Sequence, residues 1–185
     1  MMIRTFIALE IPGDSLTQLS NVIKDQIGEL KNVKWESREK LHLTLKFLGD
    51  TQKELIDTYI SAIENISKKY NSLDLSFNQF GVFKKGNDPK IFWVGMNENR
   101  KLNEMVSDIE TTFSEFGFKK ENRRFQPHIT LLRFRGHEDS EKILSLTEVN
   151  LPIIKFTSDK IMFYESKLLP GTSVYRSIKN FYLKN

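Results

Sequence analysis

The 185-residue chain contains no cysteine. Disulfide staples and thiolate metal sites are therefore excluded. It has no apolar stretch approaching the roughly 20 residues that a bilayer-spanning helix needs. The apolar run near its start, Phe6-Ile7-Ala8-Leu9, is too short for a secretory signal. A cytoplasmic protein that does not enter a membrane is expected. There is no Lys-x-Asp-Gly adenylation motif and no glycine-rich phosphate loop, which disfavours chemistry driven by ATP. Histidine is scarce, with three in the chain. The formal net charge of +4 is mild. It is compatible with an anionic partner and says little by itself.

Residues 1–185 suit one compact domain with two lobes. An apolar fraction of 39% is enough for a packed core. Alternation and helical spacing give the elements in order. A strand over 3–9 precedes a helix over 14–30 opened by Pro12, and Val33 to Glu36 is a short strand. A strand over 41–48 follows, then a helix over 52–69 capped near Thr51. Residues 73–77 alternate as a strand, 80–89 form a loop or hairpin, and 91–96 form a buried strand. A helix over 99–116 stops at Gly117. Basic residues 118–124 lead into a strand over 127–134, a turn at Gly136-His137-Glu138-Asp139 and a short helix over 140–146. Strands over 153–156, 161–164 and 174–182 complete the chain. The order strand, helix, strand, helix thus occurs twice.

Two of the three histidines lie in one repeated pattern. Leu41-His42-Leu43-Thr44-Leu45-Lys46-Phe47-Leu48 and Phe125-Gln126-Pro127-His128-Ile129-Thr130-Leu131-Leu132-Arg133 both carry His-x-Thr-Leu inside an apolar run. In a strand, alternate side chains share a face. His42 therefore sits beside Thr44 and His128 beside Thr130, each pair backed by apolar residues. Two such strands facing one space present two imidazoles and two hydroxyls. Imidazole exchanges protons near neutral pH, so a pair can serve as acid and base in one turnover. Hydroxyls can donate to anionic oxygens. The set suits phosphoryl transfer, with water attacking and an alkoxide leaving in line.

With these two motifs, and with Arg4-Thr5-Phe6-Ile7-Ala8-Leu9 and Ile91-Phe92-Trp93-Val94-Gly95, the chain resembles the two-histidine phosphoesterases. It is similar within them to the RNA 2',3'-cyclic phosphodiesterase family, also called LigT-like or 2'-5' RNA ligase-like. The resemblance implies an α+β fold of two pseudo-symmetric lobes, each an antiparallel sheet with helices outside, and a catalytic cleft between the sheets. It implies hydrolysis of a 2',3'-cyclic phosphate at an RNA end to a 2'-phosphate. A monomer with no cofactor is expected, and no metal is required if the acid protonates the leaving group. It also implies that His42 is the proton donor and His128 the acceptor, with Thr44 and Thr130 holding the non-bridging oxygens. From the residues alone the two histidines are interchangeable.

Four further residues are candidates for substrate binding. Arg133 could clamp a phosphate. Strict alternation puts it opposite His128, so it reaches the cleft only through a twist or bulge. Lys46 lies on the His42 face by the same alternation. Phe83, Phe125 and Trp93 could stack on a base, with core packing favoured for Trp93, which sits in a strand that reads as buried. His137 is given no role. Where the family has Gly-Pro and then Tyr near the C-terminus, this chain has Leu169-Pro170-Gly171-Thr172-Ser173-Val174-Tyr175. That departure bears on loop shape and substrate selection. Two alternatives remain open. One is a reversible 2'-5' RNA ligase or another cyclic nucleotide phosphodiesterase of the same superfamily. The other is a non-catalytic RNA-binding module.

Overall fold

A computed structural model describes residues 1–30 and 32–185. Two four-stranded antiparallel sheets carry it. The first has the order β2-β1-β7-β8, built from β1 (Met2–Leu9), β2 (Leu43–Gln52), β7 (Lys160–Leu169) and β8 (Thr172–Tyr182). The second has the order β5-β4-β3-β6, from β3 (Leu73–Lys85), β4 (Asp88–Met96), β5 (His128–Arg133) and β6 (Ile154–Ser158). In each sheet the strand of the repeated motif is an edge. Each is reached from its neighbour through a helix: α1 (Gly13–Ile27) joins β1 to β2, and α3 (Arg100–Glu115) joins β4 to β5. The α2 helix (Ile56–Ser67) follows β2, and the short α4 (Ser140–Leu144) follows β5. The twofold order read from the sequence is thus repeated in space.

Helical spacing explains which helix faces are buried. In α3, Leu102, Met105, Val106, Ile109 and Phe113 form one buried stripe. The Asn99 side chain caps its start by accepting from the Leu102 amide at 3.0 Å. In α1, Leu16, Leu19 and Ile27 face inward, after Pro12 at the N-cap. The helices brace the opposite sheets: α1 packs on β6 of the second, and α3 packs on β2 of the first. One continuous apolar cluster results. It includes Ile7, Leu43 and Phe163 of the first sheet and Phe77, Phe92 and Ile129 of the second.

Several element boundaries differ from the sequence reading. Thr51 caps no helix; β2 runs on to Gln52, and the Thr51 hydroxyl lies 2.7 Å from that of Thr5. That buried pair extends β2 beyond Gly49. Gly28, at φ 65°, ends α1 three residues early, in a conformation glycine adopts without strain. Residues 80–89 form mostly strand, with β3 and β4 meeting at a tight turn that leaves Phe83 on the sheet. Of Val33 to Glu36, Trp35 makes a single bridge to Leu132.

Trp93 lies flat across β3 and β4. A Cβ at Gly81 would collide with its ring, and one at Gly95 would come within 2.8 Å of it. These glycines make room for an indole that sits beneath His128, with ring centroids 6.0 Å apart. Gly81→Ala is expected to cost about 1–3 kcal/mol through overpacking. A lowered urea midpoint and a changed near-ultraviolet circular dichroism band would report the displaced indole.

Candidate active site

The motif strands do not alternate strictly. In β5, Thr130 pairs with Trp93 and Leu132 with Phe92, which leaves Leu131 as an extra residue. Leu131 and Leu132 are both buried, and Arg133 emerges at the next position. The bulge therefore returns Arg133 to the face of His128 and Thr130. In β2, Thr44 pairs with Ala8 and Lys46 with Ile7, leaving Leu45 extra in the same way. Phe47 then stands where Arg133 stands in the other strand, and it is 65% exposed. Strict alternation misplaces Lys46 for the same reason. It holds the position of Leu132 and turns toward α3, where its buried ammonium donates to Glu110 Oε2 at 2.6 Å and to the Lys119 carbonyl at 3.1 Å.

The imidazoles are set in aromatic surroundings. His42 stacks on Phe6 at 4.9 Å and meets the edge of Tyr175 at 5.3 Å. His128 meets Phe83 edge-on at 4.9 Å. Its Nδ1 lies 2.7 Å from the Gln126 carbonyl, two residues earlier, which suits an Nδ1–H donor and frees Nε2. The Lys40 carbonyl, also two residues earlier, favours charge on His42, yet no described group completes a hydrogen bond to its buried Nδ1. Burial pushes His42 down to about 4, and the Arg133 guanidinium adds to the effect. Burial likewise lowers His128, and Arg133 again contributes. The same guanidinium thus bears on both rings. The Cα atoms of β2 and β5 also approach within 8 Å.

Arg133 is itself held. Its Nε lies 3.4 Å from Glu36 Oε1, and Lys40 Nζ lies 3.7 Å from the other oxygen of that carboxylate. Lys40 also donates to the Thr172 hydroxyl at 2.7 Å, on the turn between β7 and β8. Arg135 grips the same turn through the Gly171 carbonyl at 2.8 Å. The loop carrying Arg135 is folded around Glu138. Burial raises that carboxyl, but amides of Arg135 and Gly136 donate to it and leave it below its ordinary value. Glu36, Phe47 and Glu138 were not singled out in the sequence. Phe47 could have been, because it lies five residues after His42 as Arg133 lies five after His128.

A groove of about 880 Å³ opens at this place. Thr44, Lys46, Phe47, Phe83, Phe125 and His128 are part of its lining. His42, Thr130 and Arg133 lie outside the lining, Arg133 joined to both rings by its charge. His137 is not part of this lining, and its Nε2 lies 3.7 Å from Glu138 Oε1. Among the described residues, no three His, Asp or Glu side chains converge as a metal site. Chemically, the arrangement offers two neutral imidazoles, two hydroxyls and a guanidinium, enough to hold an anion and move protons on either side of it.

The sequence model described as the 2'-5' RNA ligase superfamily matches residues 17–168. The chain is 29% identical over 174 residues to the RNA 2',3'-cyclic phosphodiesterase of Thermotoga maritima, spanning 94% of this chain and 91% of that one. It is 28% identical over 180 residues to the enzyme of the same description from Methanocaldococcus jannaschii, spanning 96% and 99%. Among solved structures, E. coli LigT complexed with 3'-AMP superposes with a TM-score of 0.77 at 22% identity over 100% of both chains. A Thermus thermophilus protein superposes at 0.80 with 19% identity over 98% of each. These two structures share the fold of the present chain.

The depressed imidazoles have a consequence for stability. An unfolded histidine accepts its proton near 6.5, whereas His42 in the fold resists protonation down to about 4. Between those values the unfolded chain binds more protons, so stability falls as the pH drops. His42 alone accounts for roughly 3 kcal/mol of loss across that window. Urea melts at pH 6.5 and pH 4 should therefore diverge more for the native chain than for His42→Phe, which keeps the aromatic packing. Equal divergence would contradict the burial argument.

Proposed function

The chain belongs to the 2'-5' RNA ligase superfamily, and on that footing we propose that it hydrolyses the 2',3'-cyclic phosphate at an RNA 3' end to a 2'-phosphate. His42 and His128 act as the proton-transfer pair. The observation that carries the reading is geometric: the bulge in β5 brings Arg133 to the face of His128 and Thr130, and β2, which His42 immediately precedes, lies beside β5. The description of the curated relatives as RNA 2',3'-cyclic phosphodiesterases supports the reaction class. Residues 1–185 act as one bilobal unit, in keeping with the continuous core.

In this mechanism Arg133 binds a non-bridging oxygen, and Thr44 and Thr130 donate to the phosphate oxygens. Phe47, Phe83 and Phe125 hold the terminal base. His128 takes a proton from water as its oxygen attacks phosphorus. The bond from phosphorus to the 3'-oxygen breaks, and His42 delivers its proton to that oxygen. The 2'-ester bond stays intact. His42 then ends neutral and His128 protonated, and exchange with solvent restores both. Burial keeps His42 uncharged in the empty site. A bound phosphate anion reverses that balance by pairing with Arg133 and favouring imidazolium nearby. Substrate thus charges its own acid.

The test is an oligonucleotide ending in a cyclic phosphate, with the product identified as the 2'- or 3'-monoester. His42→Ala and His128→Ala should each lower kcat by about 10²–10⁴ without unfolding the chain. Wild-type turnover in either variant, or a 3'-phosphate product, would sink the reading, and a 2'-5' joined product would favour ligation.

Free-enzyme kcat/KM requires one ring charged and the other neutral. With both rings depressed, its maximum should lie on the acid side of about 6.5. Arg133→Gln removes a charge that opposes protonation. It should lower the rate and move the alkaline limb of the kcat/KM profile to higher pH.

A further inference from the structure

The groove is larger than the cyclic end requires. From Thr44 and His128 it runs along the outer face of α3, past Asn103, Ser107 and Thr111, and beside residues 119–126. Its lining holds Lys46, Lys119, Lys120, Arg123 and Arg124 against Glu110 and Glu121. Lys46 is matched by Glu110 at 2.6 Å and Arg123 by Glu121 at 3.0 Å. That leaves Lys119 and Lys120 as the surplus, while Arg124 pairs with Glu98, outside the lining, at 2.8 Å. Lys119, Lys120, Arg123 and Arg124 are all exposed. Phe47 and Phe125 lie in the same lining, at the end near His128.

We infer that this arm of the groove binds the single-stranded RNA leading to the cyclic end, so that the chain acts on oligonucleotide termini in preference to cyclic mononucleotides. The inference rests on the proposed reaction for its direction. A cyclic phosphate closes the 3' terminus, so the polymer can leave the site only toward its 5' side. Cations spaced along a groove follow a phosphate backbone whatever the base sequence. The four basic side chains of residues 119–124 lie apart from the groups given to proton transfer and phosphate anchoring. They act on the polymer and leave the reacting phosphate alone.

The experiment compares the full chain with the variant K119Q/K120Q/R123Q/R124Q. Substrates are a 2',3'-cyclic mononucleotide and a short single-stranded oligonucleotide ending in the same cyclic nucleotide. The native chain should favour the oligonucleotide at least about tenfold in kcat/KM, and the variant should lose that advantage while its mononucleotide turnover stays within about twofold. The slope of log KM against log salt should flatten by about 0.7 for each phosphate contact removed. Equal kcat/KM for both substrates in the native chain, or an advantage that survives in the variant, overturns the inference. If neither substrate is turned over, the proposed reaction fails. The groove is then judged by fluorescence anisotropy of labelled oligonucleotide: weaker binding by the variant upholds it, and equal binding overturns it.

Discussion

One extra residue in each motif strand sets the geometry of the whole site. A regular strand sends every second side chain to the same face. At Leu131–Leu132 and at Leu45–Lys46, two consecutive side chains are buried instead. The bulge that permits this shifts the following residue to the concave face, as a one-residue slip does along a sheet. Arg133 and Phe47 arrive at equivalent places by this device. Without it the guanidinium would lie behind the sheet, and no cation would stand near both imidazoles.

The second constraint is how the sheets are joined. Both motif strands are edges, which ordinarily invite unwanted pairing. Here β2 and β5 lie beside each other, and the Trp35–Glu36 segment pairs with β5, with the Glu36 amide donating to the Leu131 carbonyl at 2.8 Å. The helices cross from one sheet to pack on the other. His128 opens β5, His42 immediately precedes β2, and the two strands therefore share one core. Such support holds a site more firmly than loops alone would. The segment that puts Glu36 beside Arg133 also covers the edge, so the same short stretch serves both the fold and the electrostatics.

Burial and charge act together on the rings. Aromatic neighbours strip water from His42 and His128, and a nearby guanidinium opposes their protonation. An empty site of this kind is a poor proton store and a good anion receptor. Glu36 keeps the guanidinium in place and partly offsets its charge. The turn between β7 and β8 is drawn toward the same network by Lys40 and Arg135. Beyond that turn, Tyr175 of β8 lies edge-on against His42 at 5.3 Å.

Fold class, the twofold order of elements and the repeated His-x-Thr-Leu pattern were all legible along the linear chain. Those follow from local periodicity and from repetition, which a linear reading can register. Tertiary structure decided the rest. Lys46 was placed on the wrong face because a bulge depends on the partner strand and leaves no mark in alternation. Arg133 was legible only as a conditional case, for the same reason. Thr51 seemed a helix cap because its hydroxyl's partner, Thr5, lies on another strand. Glu36 and Glu138 gave no signal at all, since a carboxylate's work is set by the amides and cations that the fold brings to it.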